Sequence, residues 1–255
     1  MAWWTRATNR GRVATRRGPG DERTAALAAG NADAVTRLRD GDPHEARHLL
    51  AGTVATCRAL LGADHPDTLV AEGNLAVATV AAQRAEGIEL LRTCVADRMR
   101  VFGPDDARTL AAQDALATAY RLVGRAKEAV DLAAHVAGLR RALLGPIHPD
   151  TLAARTGLGL AQAATGDVAS AAAVLESTLR DAAYAHGPGH LLPITIRSAL
   201  AGVHAALGRT ADAVAGLEQA VADAVELLGP DDPDTRALRD DLAEIHSVRP
   251  LGLIA

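Results

Sequence analysis

Aromatic side chains are nearly missing from this chain. Phe, Trp and Tyr make up 2% of 255 residues, although apolar residues reach 49%. A core without large rings must be built from Ala, Leu and Val. Ala and Leu are among the strongest helix formers, and no segment alternates apolar and polar residues as a strand would. An all-α protein is expected. Lysine is also scarce, with Lys127 standing alone against 26 arginines, the pattern of a GC-rich bacterial coding bias. Only two cysteines are present, Cys57 and Cys94, and they form no Cys-x-x-Cys. They read as reduced core thiols of a cytoplasmic protein. No apolar run approaches the roughly 18 residues of a membrane span, and the N-terminus has no secretory apolar segment. Net charge is −4. Residues 1–20 hold five arginines and no acid, which leaves 22 Lys and Arg against 31 Asp and Glu in the rest, a balance of −9. An acidic body argues against nucleic acid as a partner. No Ser-His-Asp set, phosphate loop or dinucleotide fingerprint occurs, and no cofactor is implied.

What the chain does have is a period. Leu61-Gly62-Ala63-Asp64-His65-Pro66-Asp67-Thr68-Leu69 returns four more times, headed by Gly103, Gly145, Gly187 and Gly229 at spacings of 41, 42, 42 and 42 residues. A fixed period of this length marks a stacked repeat array. Each copy carries the same instructions. An apolar run ends a helix, and the glycine is expected to close it in the left-handed conformation. His65, Asp106, His148, His190 and Asp232 fall at the N-cap of the next helix. Pro66, Pro149 and Pro233 take its first position, where a missing N–H costs nothing. Asp67, Asp150 and Asp234 follow, where negative charge suits the helix dipole. Tight turns then come at Gly124-Arg125, Gly166-Asp167 and Gly208-Arg209. The second helix opens with an acid or hydroxyl and a small residue: Glu45-Ala46, Glu86-Gly87, Glu128-Ala129, Ser170-Ala171 and Asp212-Ala213. Small residues there let two helices approach closely.

The loop, the Asn74-Leu75-Ala76 segment and the Gly-Arg-x-x-Glu-Ala turn at Gly124 to Ala129 together resemble the tetratricopeptide repeat, in the 42-residue form of kinesin light chains. The resemblance spans roughly residues 43–245. It departs from the family where Thr79, Gln162 and His204 stand in place of the aromatic kept at Tyr120, and in the fourth copy, which reads Leu191-Leu192-Pro193. It implies a right-handed superhelical solenoid of antiparallel helix pairs. The expected division is an Arg-rich tail over 1–20, a degenerate first repeat over 21–61, and repeats over 62–102, 103–144, 145–186 and 187–228. A capping half-repeat over 229–247 and a tail over 248–255 follow.

One motif looks catalytic. His44-Glu45-Ala46-Arg47-His48 fits His-Glu-x-x-His, which on a helix sets two imidazoles one turn apart for zinc with a glutamate to activate water. Its centre, Glu45-Ala46, is already explained as the repeat's own pair. It also lies in a first helical turn after Gly41-Asp42-Pro43, and no third histidine follows. His65, His148 and His190 share one repeat position, which structure accounts for. No metal site is expected, and a zinc hydrolase using His44, Glu45 and His48 is a remote alternative.

The resemblance implies a non-catalytic module that binds a protein or peptide segment in a concave groove lined by the first helices. Carried over by repeat position, the groove residues are Asn74, Val77, Asp114, Thr118, Arg121, Thr156, Leu160 and Ser198, with Gly73, Val80 and Gly202 beside them. Asn74 is the one retained family residue able to hydrogen-bond a peptide backbone. The family's Lys/Asn/Arg clamp for a terminal carboxylate has no counterpart here. An alternative reading is a regulatory sensor or self-associating scaffold, switched by the N-terminal tail with its Trp3-Trp4 pair.

Overall fold

The computed structural model describes residues 19–247. Among them are eleven α-helices and no strand: α1 (Pro19–Arg39), α2 (Pro43–Leu61), α3 (Pro66–Ala81), α4 (Gly87–Phe102), α5 (Ala107–Leu122), α6 (Ala126–Leu144), α7 (Pro149–Ala164), α8 (Val168–His186), α9 (Leu191–Ala206), α10 (Thr210–Leu228) and α11 (Pro233–Ser247). The expected N-terminal tail, the C-terminal tail over 248–255 and the Arg249-Pro250 stop lie outside the described residues. The described residues form two compact units that divide between Tyr120 and Arg121. In the first, α1 packs on α2, α2 on α3 and α3 on α4, and α1 also touches α3. In the second, each helix from α6 to α11 packs on the next, and α7 touches α9. Connections are short, so packed neighbours run antiparallel. These are the helix pairs of the expected all-α solenoid.

The loop glycines close their helices, though not in the expected conformation. Gly62, Gly103 and Gly145 have φ of 91°, 91° and 90° with ψ of 164°, 165° and 166°. Positive φ is present, but ψ is extended rather than near the 47° of a left-handed helical turn. The extended ψ sets the carbonyls of Gly62 and Gly103 where hydroxyls of the next helix donate to them. Each glycine N–H still donates to the carbonyl four residues back, as Gly62 does to Arg58 at 3.1 Å. The chain then leaves the helix straight into the loop.

The N-caps fall where the repeat places them. The Nδ1 atoms of His65, His148 and His190 accept from the backbone N–H of Asp67, Asp150 and Leu192, each at 3.2 Å. Asp106 and Asp232 do the same for Arg108 and Asp234. An imidazole can therefore replace a carboxylate at this cap while its Nδ1 is unprotonated. The fourth copy, which lacks Pro-Asp-Thr, still starts its helix at Leu191 because His190 supplies the cap. The threonine of the loop motif has its own task. Thr68 and Thr109 are fully buried, and their hydroxyls donate back to the carbonyls of Gly62 and Gly103, both at 2.8 Å.

Small residues sit where helix pairs cross. Ala46, Ala129, Ala171 and Ala213 are fully buried. Gly87 takes the same place in α4, where a Cβ would come within 2.7 Å of the Val80 backbone nitrogen. Around these contacts the core is Leu, Ile, Val and Ala, such as Leu152, Leu175, Ile196, Leu200 and Val203 in the second unit. In the first unit, Leu50, Ala34, Ala46 and Ala78 form one cluster and Val54, Cys57 and Ala71 another.

Candidate functional site

The first helices of the pairs, α3, α5, α7 and α9, each leave one stripe partly uncovered. On α7 it runs through Ala153, Gly157 and Leu160 to Ala164; on α9 it runs through Thr195, Ala199 and Gly202 to Ala206. These positions recur at i, i+4, i+7 and i+11, one face of a helix. On α3 the same face carries Val70, Asn74, Val77 and Ala81, and on α5 Ala111, Ala115, Thr118 and Leu122. In the second unit α7 also touches α9.

Mid-helix glycines are of two kinds, open and packed. A Cβ on Gly157 or Gly202 would meet nothing within 4 Å. On Gly159 it would meet Leu175 Cγ at 2.8 Å, and on Gly73 it would meet Arg98 Nη2 at 2.5 Å. Gly73 therefore lines no groove; it lies under a guanidinium.

The eight expected groove residues divide. Asn74, Thr118 and Leu160 lie on the stripe and are half-buried. Asn74 Nδ2 donates to Asn31 Oδ1 of α1 at 2.9 Å, an amide pair joining neighbouring first helices that the repeat period does not reveal. Val77 is on the stripe but only 7% exposed. Asp114, Thr156 and Ser198 share a position one residue off the stripe. Thr156 is buried at 2% exposure, its hydroxyl donating to Leu152 O at 2.8 Å, while Asp114 and Ser198 are half-buried. Arg121 is half-buried near the end of α5, and loss of water around its guanidinium pulls its pKa down. Val70, Ala153, Gly157, Thr195 and Ala199 belong to the stripe and were missed. Their only signal was the i, i+4, i+7 register counted from the N-cap.

Charged groups beside the stripe serve the packing. Arg155 of α7 pairs with Asp181 of α8 at 2.6 Å and donates to Ser177 Oγ at 2.8 Å. One period later Arg197 of α9 pairs with Asp223 of α10. In the first unit Arg58 pairs with Glu72 at 2.7 Å. Arg98, 9% exposed, donates from Nη2 to Leu69 O at 2.8 Å and from Nη1 to Arg108 O at 3.1 Å, pinning α4 to both α3 and α5. Arg140 repeats the second contact on Asp150 O at 2.9 Å.

The His-Glu-x-x-His residues occupy the first turns of α2, with His44, Glu45 and His48 all exposed. Among the described residues, no group of three or more His, Cys, Asp or Glu side chains is placed to hold a metal ion. Nor is any described helix long and apolar enough to cross a membrane. Both cysteines are buried free thiols. Burial pushes Cys94 up to about 11, away from the reactive thiolate.

The tetratricopeptide repeat profile matches residues 35–67, 109–150 and 194–234. No curated protein matches in sequence. Among solved structures, one described as a kinesin light chain of Podosopora anserina with nearly identical TPR-like repeats is 28% identical. It covers 84% of this chain and 99% of its own, with a TM-score of 0.61. BtubC from P. vanneervenii is 14% identical, covers 91% of this chain and 84% of its own, and has a TM-score of 0.58. Bacillus thuringiensis PlcR, solved in complex with the peptide PapR7 and DNA, is 12% identical over 86% of this chain and 74% of its own, with a TM-score of 0.62. The last two share the fold. Over three segments the chain thus matches the tetratricopeptide repeat, and its all-α framework is similar to that of a kinesin-light-chain-like repeat protein.

Proposed function

We propose that this chain is a non-catalytic interaction scaffold. In this reading the stripes of its first helices take an extended or helical segment of a partner protein. The observation that carries the reading is the partly uncovered stripe that the first helices share, lined by short and mostly uncharged side chains. Gly157 and Gly202 lie on it with open space above them, as Gly52 and Gly138 have on α2 and α6, and leave room for a ligand's atoms to approach the helix. The surrounding Ala, Thr and Leu side chains are short and uncharged, which suits a segment held by shape and backbone hydrogen bonds. Asn74 and Thr118 supply polar contacts in the first unit, Ser198 and Thr195 in the second. Arg121 supplies a partly desolvated cation for an acidic side chain. The repeat divisions over 62–102, 103–144, 145–186 and 187–228 give each stripe its place. The free thiols and Arg-dominated basic content fit a bacterial cytoplasm.

The test places charge on the stripe without touching the core. Thr118→Arg and Gly202→Glu are combined in the full chain, and folding is checked by circular dichroism. A partner captured by the intact chain from its native lysate is expected to be lost by the folded variant. Equal capture by both would reject the stripe as the site.

A further inference from the structure

A second surface, on the loop edge of the second unit, is unlike its counterparts. In the first unit the last turn of α4 reaches back to the preceding loop through an ion pair, Arg100 Nη1 to Asp64 Oδ2 at 2.9 Å. Arg100 stands three residues before Gly103, and Asp64 two residues after Gly62. The same two positions one unit on are Tyr184, three before Gly187, and Ile147, two after Gly145. An exposed ion pair has been replaced by an aromatic and an aliphatic side chain. Both are open: Tyr184 is 88% exposed and Ile147 46%. Leu143 and Leu144, at the end of α6 beside Ile147, are 51% and 43% exposed. Leu144 lacks a cover that its counterpart in the first unit has. Its counterpart Phe102 is covered by the Arg108 guanidinium, 3.5 Å from the ring centroid. The residue in the place of Arg108 is Asp150, a short acid that cannot lie over Leu144.

The flanks of this edge are basic, although the chain is acidic. Arg141 lies one turn before Leu144 on α6, and Arg180 one turn before Tyr184 on α8, so each shares a helix face with a patch residue. Both are exposed. Of the nearby carboxylates, Asp181 is taken by Arg155, and Asp150 sits at the N-terminus of α7 by the His148 ring. Four apolar side chains between two arginines complement an acidic segment with bulky apolar anchors. We propose that the Leu143–Leu144–Ile147–Tyr184 edge is a second docking site, for an acidic amphipathic segment of a partner protein. It is separate from the stripe of the first helices and stands whether or not that stripe binds.

The repeat itself supplies a folding-safe test. Tyr184→Arg with Ile147→Asp rebuilds the ion pair that the first unit already carries. The probe is a fluorescein-labelled peptide of Glu-Glu-Leu-Leu repeats, with a Lys-Lys-Leu-Leu peptide as the charge-reversed control, read by anisotropy on the full chain. The acidic peptide is expected to bind and the basic one not. Binding should fall about tenfold or more in the rebuilt-pair variant and in Arg141→Glu with Arg180→Glu, and weaken with salt. Gly202→Glu, on the stripe, should leave it unchanged. Equal binding of the two peptides, or undiminished binding by the folded rebuilt-pair variant, would overturn the proposal. So would failure of the acidic peptide to bind, including the case where the edge instead joins two copies of the chain and sedimentation shows a dimer that the variant no longer forms.

Discussion

Gly73→Ala should destabilise the chain, although alanine is the better helix former. A Cβ at this position would lie 2.5 Å from Arg98 Nη2 and 3.2 Å from its Cζ. A long side chain can usually swing away, but this guanidinium is held. It donates to Leu69 O and Arg108 O, is 9% exposed, and has a pKa lowered by burial. Moving it breaks two hydrogen bonds from a charged donor, each contributing about 1.5–3 kcal/mol. Partial relaxation keeps some of that. Against the loss stands about 1 kcal/mol of helix propensity gained. The net expectation is a loss of about 2 kcal/mol, read as a lower urea midpoint by circular dichroism. Gly157→Ala, with open space above it, should instead gain up to about 1 kcal/mol. In an Arg98→Ala background the clash disappears, so Gly73→Ala should become neutral or stabilising. If Gly73→Ala stabilises as Gly157→Ala does, or costs the same with and without Arg98, the account of the α3–α4 contact is refuted.

Three further outcomes follow from local geometry. Gln83 closes the α3–α4 turn at φ 55°, where the other turns use Gly41, Gly124, Gly166 and Gly208; Gln83→Gly should raise the thermal midpoint, by about 0.5–1 kcal/mol of stability. Thr109→Val removes a buried hydroxyl bonded to Gly103 O and should cost about 1–2 kcal/mol. Thr151→Val should be close to neutral, because the Thr151 hydroxyl is buried without a partner; equal urea midpoints for the two valine variants would contradict the lacing role of this threonine. Cys94 is raised from 9.0 to about 11 by burial, so folding favours the thiol. Its contribution is complete below pH 9.0 and is lost as pH rises towards 11; Cys94→Ala should flatten the alkaline limb of the stability profile there, and an unchanged limb would contradict it.

The repeat was legible because its signals are each stated several times. One loop glycine or one His-Pro-Asp would be ambiguous, but five in register fix the helix starts, the N-caps and the small residues at the crossings. The binding face was only partly legible. Asn74, Thr118 and Leu160 fell on the stripe, while Gly73, Val77 and Thr156 proved buried. Period alone gives a residue's place along its helix, and the side it faces depends on which neighbours pack there. Arg98 hides for a related reason: an arginine beside Met99 reads as surface until its two carbonyl acceptors are seen. Tyr184 misleads in the opposite direction, since an aromatic in an Ala-rich helix suggests core. The conformation of the loop glycines was half legible, because positive φ follows from glycine but the extended ψ depends on where the next helix takes the chain.

The central claim, that the open stripe of the first helices meets a partner, is tested most directly by site-specific photo-crosslinking. A benzophenone amino acid is placed at Leu160 or Ala199 on the stripe and, separately, at Ala173, which is exposed on α8. The account predicts one shared partner adduct from the two stripe positions and none from Ala173. An adduct from Ala173 with none from Leu160 or Ala199 would contradict it.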